Sequence, residues 1–439
     1  MMRIFWEECK HILRSRLLWC VALLGFLAGL YLHSVSVDPS LLTVSNGFVR
    51  EHGTSFTEQD ADDFVLYYLE HTEHGKEIQQ ELQQLGLSTI TPSQIMRYQR
   101  GEDPELAERL HALREKDESA YEYLMYEFHW FTRVLDQMAD NRTKENIDLE
   151  KQGKSWMSSL LPPEEEWKRS LLQPAFAAMQ NRVEDVFATG ENQGFFPYSL
   201  SGGGYNSWFW SQFRMTDGLG FLWGLSFLLS AIMVARSLGG SFRAHRGQIL
   251  YTGRPGRRLI LIKMAAVLTI SGLFFVLLTG LMTLLYVLLY HIDLYWHVPV
   301  ASLLCEDGPA IPRLAVTLLQ YWWFQLGVGL GCVLIMALLF GGVMALTKNF
   351  YVGSAMMALL VTGFVILLKM VPGIESSLLL MSSPMGLFFH TGFLLMPFLR
   401  ASTLFTALPH FEGYSLLVWG IIAAIVMTLG MWRMHRASI

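Results

Sequence analysis

Two histidines and three glutamates form a cluster of residue types that bind metals. His71 and His74 are three residues apart, and Glu70, Glu73 and Glu77 surround them. Because residues three or four apart share a helix face, this cluster could present several ligands to one divalent cation. It lacks the further ligands of a zinc site, so we expect a solvated helix face there instead.

The motifs of several enzyme classes are absent from the sequence. It contains neither His-Glu-x-x-His, the zinc-protease motif, nor Gly-x-x-x-x-Gly-Lys-Ser/Thr, the loop that cradles nucleotide phosphates. The four cysteines, Cys9, Cys20, Cys305 and Cys332, are too scattered for a metal or disulfide framework. We therefore expect no enzyme activity, no cofactor and no ATP hydrolysis on this chain.

A basic stretch lies between two long apolar runs. Seven Lys or Arg residues and no Asp or Glu occur from Arg236 to Lys263. Lys and Arg are enriched in short loops on the cytoplasmic side of membrane proteins, so 236–263 is predicted to be a cytoplasmic loop. A partner protein could bind the chain there. The alternative is that these cations only fix the orientation of the chain.

The composition is typical of a membrane protein with a large polar insertion. Of the 439 residues, 52% are hydrophobic and 16% are charged, whereas about one quarter are charged in soluble domains. From Asp38 to Arg214 there are 30 acidic and 16 basic residues. The rest of the sequence is therefore positive, although the net charge of the whole chain is -5.

Six apolar runs approach the length of about 20 residues that crosses a bilayer. They are 17–37, 219–235, 264–290, 314–346, 350–371 and 416–432, so five of the six lie within 216–439. An even number of spans places both termini on one side, and the flanking cations predict the cytoplasm. We predict an all-α polytopic protein of a bacterial plasma membrane. The first run is longer than a signal-peptide core and is expected to remain as an anchor.

Residues 1–16 are predicted to form an amphipathic helix at the cytoplasmic interface. Phe5, Cys9, Ile12 and Leu13 fall on one side at helical spacing. Charged or polar residues take the other side, namely Arg3, Glu7, Lys10, His11 and Arg14. The apolar side could enter the acyl boundary while the cations meet anionic head groups. The alternative is a basic flank that frays.

The hydrophilic insertion 38–215 is expected to lie outside and to fold by itself. Apolar residues recur at three-to-four spacing in it, which predicts helices. Pro92 and Pro104 follow Thr91 and Asp103, which could serve as N-caps. An insertion of about 180 residues is long enough to bury its own core.

Two segments resemble those of ATP-binding-cassette exporter permeases of the ABC-2 type. The N-terminal residues Phe5, Glu8, Lys10, Arg14, Ser15, Arg16 and Trp19 are similar to the elbow helix and the start of the first span in that family. The basic stretch is similar to the segment that contains its cytoplasmic coupling helix, through Phe242, Gly247, Leu250, Arg254, Pro255, Arg257 or Arg258, Ile260 and Lys263. The coupling residues that this resemblance implies are Phe242, Arg243, His245, Arg246, Gly247, Leu250 and Arg254. The family often carries an acidic residue in this segment, and here there is none.

This resemblance implies a permease subunit that moves a substrate outward. Its partners would be a second permease subunit, identical or different, and a separate ATPase that binds ATP and Mg²⁺. Residues 372–414, which contain Pro384 and Gly386, would be a re-entrant or surface segment before the last span. No nucleic acid is expected as a partner. The alternative function is a membrane-anchored sensor or assembly protein whose external domain binds a partner without transport.

Overall fold

The computed structural model describes residues 2–35, 39–55, 58–84, 87, 94, 97–98, 101–126, 166–194, 219–243, 254–302, 314–370, 382–389 and 410–436. These residues are mostly helical and contain no β-strand, which confirms the predicted all-α class for this part of the chain. Isolated β-bridges join Ser55 to Gly194 and Pro299 to Thr317.

In chain order the α-helices are α1 (Met2–Leu13), α2 (Arg16–Val35), α3 (Pro39–His52), α4 (Glu58–His71), α5 (Glu73–Gln84), α6 (Pro104–Lys116), α7 (Glu166–Thr189), α8 (Leu219–Val234), α9 (Gly240–Arg243), α10 (Arg254–Tyr290), α11 (Leu318–Thr347), α12 (Phe350–Met370), α13 (Pro384–Phe389) and α14 (Phe411–Arg436). A π-helical turn, Ala235–Gly239, joins α8 to α9. Short 3₁₀ helices occur at Ile292–Tyr295 and Val300–Ser302.

The chain divides into two compact units. The first unit comprises Met1–Ser36, Phe209–Leu289 and Leu319–Ile439. The second unit comprises Val37–Trp208 and Tyr290–Leu318. The second unit therefore contains most of the predicted insertion and, in addition, the segment that follows α10.

Each of the six predicted apolar runs overlaps one helix, namely α2, α8, α10, α11, α12 or α14. Four helices of the described residues are long and apolar enough to cross a membrane: Phe221–Phe242, Arg258–Tyr290, Leu318–Thr347 and Phe411–Met434. The bent pair Met2–Leu13 and Arg16–Tyr31 makes a fifth if it counts as one span. Helix α12 has 21 residues, Phe350–Met370, and its apolar part includes Phe350–Gly363.

Helix α11 is the most buried of these long helices in the first unit. Within its most apolar part 72% of the residues are buried, against 33% in α10 and 28% in α14. A Cβ on Gly329 would lie 2.7 Å from the rings of Trp223 and Phe275, which belong to α8 and α10. A Cβ on Gly342 would lie 2.9 Å from the backbone nitrogen of Met427 in α14. Small residues therefore let three helices approach α11 closely.

A second close approach joins α2 and α8. A Cβ on Gly25 would lie 2.5 Å from Leu225, and one on Gly29 would lie 3.3 Å from Phe221. This spacing of two glycines four residues apart is a small-xxx-small face. Gly327 and Gly331 have the same spacing, but only Gly331 has a neighbour, Leu416, within 4 Å of the Cβ position.

The connection from α11 to α12 is a tight turn at Lys348. This residue has a positive φ of 54°, and its Nζ donates a 3.0 Å hydrogen bond to the carbonyl oxygen of Arg433. Burial and the charge of Arg433 lower the pKa of Lys348. The Asn349 side chain caps α12 by accepting hydrogen bonds from the backbone of Tyr351 and Val352, at 2.9 and 3.2 Å.

In the predicted segment 372–414, the structure describes only 382–389 and 410–414. The six-residue helix α13 lies there, and its residues Pro384, Met385, Gly386 and Leu387 are buried. The Ser383 hydroxyl accepts a 2.9 Å hydrogen bond from the backbone of Gly386 and thereby caps the helix.

The second unit contains helices α3 to α7 and a helical stretch at 118–126. Asp103 is the N-cap of α6, because its carboxylate accepts a 3.0 Å hydrogen bond from the backbone of Leu106. This confirms the cap predicted from sequence. Thr91, the other predicted cap, lies outside the described residues.

Residues 290–302 are joined to α3 by buried hydrogen bonds inside the second unit. The Tyr295 hydroxyl donates to Oδ1 of Asn46 at 2.9 Å, and Nδ2 of Asn46 donates to the carbonyl oxygen of Tyr290 at 3.1 Å. Burial raises the pKa of Tyr295, which has no exposed surface. Near the end of α7, the Ser302 hydroxyl accepts from the backbone of Gly194 at 2.8 Å and donates to the carbonyl oxygen of Glu191 at 2.7 Å.

Candidate functional site

The N-terminal helix α1 packs against the π-helical turn Ala235–Gly239 within the first unit. Cys9 and Ile12 are the buried apolar residues of α1, with 3% and 0% exposure. Met2 and Trp6 are 76% and 58% exposed. Cys9 and Ile12, on the face predicted to enter the bilayer, therefore contact protein, whereas Phe5 and Leu13 of the same face are half-buried. The spacing that suits a lipid surface also suits a neighbouring helix.

A buried ion pair joins α1 to the start of the predicted third span. Nζ of Lys263 donates to Oε1 of Glu8 at 2.6 Å, and the two side chains are 9% and 16% exposed. The same Nζ donates to the carbonyl oxygen of Ser237 at 3.2 Å. The Ser237 hydroxyl donates to Oε2 of Glu8 at 3.4 Å. The Glu8 carboxylate and the Lys263 ammonium thus bind each other, and both also hydrogen-bond to Ser237 of the π-helical turn.

The π-helical turn explains why these groups can meet. The backbone nitrogen of Gly240 donates to the carbonyl oxygen of Ala235, five residues earlier. Such a turn redirects side chains and backbone groups from their ordinary helical positions, and it is frequent at functional sites. Gly239 is buried in the turn, where a Cβ would lie 2.8 Å from the ring of Phe350 in α12.

A second contact holds α1 to the turn. Nε of Arg236 donates a 3.0 Å hydrogen bond to the carbonyl oxygen of His11, near the end of α1 where helical carbonyls lack partners in their own helix. The chain then bends by 57° into α2. Ser15 caps α2, since its hydroxyl accepts a 3.3 Å hydrogen bond from the backbone of Leu18.

A cleft of about 640 Å³ lies where these elements meet. Its lining contains charged and polar side chains as well as apolar ones, and we call it the α1 cleft. The lining residues are Glu8, His11, Ser15, Leu17, Ile232, Ala235, Arg236, Ser237, Gly240, Ser241, Lys263 and Phe350. Two permanent cations and one carboxylate give the cleft an excess of positive charge.

No family model matches this sequence, and no curated protein or solved structure matches it. The function is therefore inferred from the residues and their geometry.

The structure brings part of the predicted elbow helix into the site. Glu8 is in the ion pair, and Phe5 is half-buried on the same helix. Lys10 instead pairs with Glu7 at 3.0 Å on the exposed side. Arg14 and Arg16 are exposed at the bend between α1 and α2.

The predicted coupling residues lie at the edges of the described part of the chain. Phe242 is buried in α9, with 9% exposure. Arg243 is the last residue of α9, and Arg254 is the first residue of α10. The other four predicted coupling residues fall outside the described residues: His245, Arg246, Gly247 and Leu250.

The segment 236–263 is less of a loop than its charge predicts. Residues 236–243 continue the second long helix, and 254–263 form the first turns of α10. Only 244–253 separate the two helices. Lys263, counted among the cations of this segment, is buried in an ion pair, so its charge does not mark an exposed loop.

Sequence reasoning missed Lys263 as a partner of Glu8 and Arg236 as a partner of α1. One signal was present: Glu8 is the acidic residue beside the apolar positions Cys9 and Ile12, so it shares their buried side. A charged residue on a buried face needs a partner of opposite charge. The sequence did not identify which of the seven cations that partner is.

Proposed function

We propose that this chain is the permease subunit of an ATP-driven exporter of the ATP-binding-cassette type. The observation that carries the proposal is the buried pair between Glu8 and Lys263. It ties the N-terminal amphipathic helix to the π-helical turn that precedes 244–253 and to the first turns of α10, which follow it. A partner that moves 244–253 would therefore act on α1, α8 and α10 together, as a coupling element requires.

The proposal includes six spans, formed by α2, α8, α10, α11, α12 and α14, with both termini in the cytoplasm. The second unit would then lie outside the cell. Support comes from charge: Arg14, Arg236, Lys348 and Arg433 lie near helix ends that this topology assigns to the cytoplasm. The acidic segment from Asp38 to Arg214 would lie on the other side, where the positive-inside rule predicts no excess of Lys and Arg.

In this mechanism ATP and Mg²⁺ bind to a separate ATPase subunit. His245, Arg246 and Gly247 would contact that subunit, and two permease chains would enclose the substrate path. Segment 372–414, which contains the buried helix α13, would lie near the outer end of that path. The substrate would be released on the side of the second unit.

The first experiment is purification of the full-length chain in mild detergent from its own cell, with identification of every stoichiometric partner. The expected result is a soluble ATP-binding-cassette ATPase. A complex that keeps its other subunits but contains no ATPase, and gains no nucleotide hydrolysis when one is added, would contradict the proposal.

A variant tests the coupling residues directly. The double substitution His245→Glu and Arg246→Glu should release the ATPase while the chain remains in the membrane, because two acidic groups replace the basic surface it binds. Arg433→Glu is the matched control, since Arg433 is an exposed arginine at the end of α14. Equal ATPase recovery from the double variant and the control would remove the coupling assignment.

A second function is supported by the second unit. This unit has a core of its own, with Tyr295 and Phe48 completely buried, and buried hydrogen bonds that fix 290–302 to α3. Such a unit could bind a partner protein as the external part of a membrane-anchored sensor or assembly factor. A retained complex without an ATPase, built on contacts to this unit, would favour that function.

A further inference from the structure

The α1 cleft has the residues of an anion site. Arg236 and Lys263 carry two positive charges, and Glu8 carries one negative charge. Lys263 neutralises Glu8 directly at 2.6 Å, so Arg236 supplies the excess positive charge. Burial and the neighbouring charge of Arg236 lower the pKa of His11, so its neutral form is favoured beside that arginine.

The guanidinium of Arg236 is positioned by the protein. Its Nε donates to the carbonyl oxygen of His11 at 3.0 Å, which fixes the plane of the group. Within the described residues its two terminal nitrogens donate no hydrogen bond to the protein. Guanidinium groups bind phosphate oxygens through two parallel hydrogen bonds, so this arrangement suits a phosphate. Ser15 and Ser241 line the same cleft.

Part of the lining of the α1 cleft is apolar. Leu17, Ile232 and Phe350 contribute to it, and Leu17 is 61% exposed. A free phosphate gains nothing from such a lining, whereas the glycerol and first acyl carbons of a lipid do. The volume of about 640 Å³ lies within the range of about 300–1,000 Å³ for small-molecule sites. The neighbouring helices α8 and α10 are apolar enough to cross a membrane.

We infer that the α1 cleft binds the phosphate headgroup of an anionic phospholipid. The phosphate oxygens accept hydrogen bonds from the terminal nitrogens of Arg236, and the start of the acyl region lies along Leu17 and Phe350. A basic cleft between helices at the membrane surface is a general way of binding anionic lipids. This inference does not depend on an ATPase partner, because the cleft is formed by the chain alone.

The test is native mass spectrometry of the purified full-length chain with phosphatidylglycerol and with phosphatidylcholine of the same acyl chains. Both lipids carry a phosphodiester, but phosphatidylcholine also carries a choline cation, which the excess positive charge of the α1 cleft disfavours. The wild-type chain should therefore retain one phosphatidylglycerol, preferred over phosphatidylcholine by about tenfold to a hundredfold. Arg236→Gln should abolish this preference. A wild-type chain without the preference, or a variant that keeps it, would overturn the inference.

A second variant blocks the cleft without changing its charge. A Cβ on Gly240 meets no atom within 4 Å, so the side chain of Gly240→Leu can occupy the open cleft. Gly240 has helical backbone angles, which leucine adopts readily. The matched control is Gly280→Leu in α10, where a Cβ also meets no atom. Loss of phosphatidylglycerol in Gly240→Leu alone supports the site, and equal retention in both variants overturns it.

Competition distinguishes a lipid from a free anion. Inorganic phosphate at millimolar concentration should leave the bound phosphatidylglycerol in place, because it lacks contacts with Leu17 and Phe350. Displacement of the lipid by phosphate alone would mean that the cleft is a site for free phosphate, and the lipid assignment would be wrong.

Discussion

Removing either member of the Glu8–Lys263 pair should release α1 from the ends of α8 and α10. In Lys263→Met the Glu8 carboxylate remains 84% buried and keeps only the weak 3.4 Å hydrogen bond from Ser237. Leaving one charge of a buried pair without its partner costs about 3–5 kcal/mol. Because both side chains retain some contact with water, we expect about 3 kcal/mol, which raises the population of the undocked state about a hundredfold.

Cys9 reports the release of α1, since it follows Glu8 and is only 3% exposed. The assay is the rate of maleimide labelling of Cys9 in membranes, in a background with Cys20→Ser and Cys305→Ser. Local opening limits the labelling of a buried thiol, so the rate follows the population of the open state. Cys332, which has no exposed surface, is the internal reference for global unfolding.

The double variant Glu8→Gln with Lys263→Met separates the ion pair from simple loss of packing. Neither residue is charged in it, so no unpaired charge stays buried, and labelling should return to within about tenfold of the wild-type rate. Single variants that label at the wild-type rate would refute the docking role. If the effects of Glu8→Gln and Lys263→Met simply add in the double variant, the two residues act independently. That result would also refute the docking role.

Two further predictions concern the packing of each unit. Tyr295→Phe leaves the buried Oδ1 of Asn46 without its 2.9 Å donor. The free energy of opening α3 should therefore fall by about 1–3 kcal/mol, which amide hydrogen exchange measures as faster exchange. In the control Tyr126→Phe, at a 75% exposed tyrosine, the exchange rate should not change. Gly342→Ala places a Cβ 2.9 Å from the backbone of α14 and should destabilise the folded chain by about 1–3 kcal/mol, seen as a lower thermal stability in detergent. In Gly327→Ala no atom lies within 4 Å of the new Cβ, so the thermal stability should stay unchanged or rise.

The helices of the first unit could be predicted because charged residues mark where each apolar run begins and ends. The runs 350–371 and 416–432 correspond to α12 and to the interior of α14. The N-cap at Asp103 was also predictable, since a short polar side chain directly before a proline can bond the backbone of the helix that begins there. These features depend on residues that are close in sequence.

The contacts between distant residues could not be predicted in the same way. Glu8 and Lys263 are separated by 255 positions, and Asn46 and Tyr295 by 249. A sequence gives the charge and polarity of such residues but not their distance. The small-xxx-small pattern has the same weakness. Gly25 and Gly29 both approach α8 closely, whereas Gly327, of the equally spaced pair Gly327 and Gly331, has no atom of the described residues within 4 Å of its Cβ position.

The pairing of Glu8 with Lys263 changes what the basic segment can do. A cation that only fixes orientation needs solvent and no particular partner, but Lys263 is almost fully buried and bonded to two groups. Its position is therefore set by α1 and by the π-helical turn, and neither element can move without changing the environment of its charge. The helices that precede and follow 244–253, α9 and α10, both belong to this assembly. If a partner protein acts on them, α1 must respond, and a fixed α1 must in turn limit how the partner can bind.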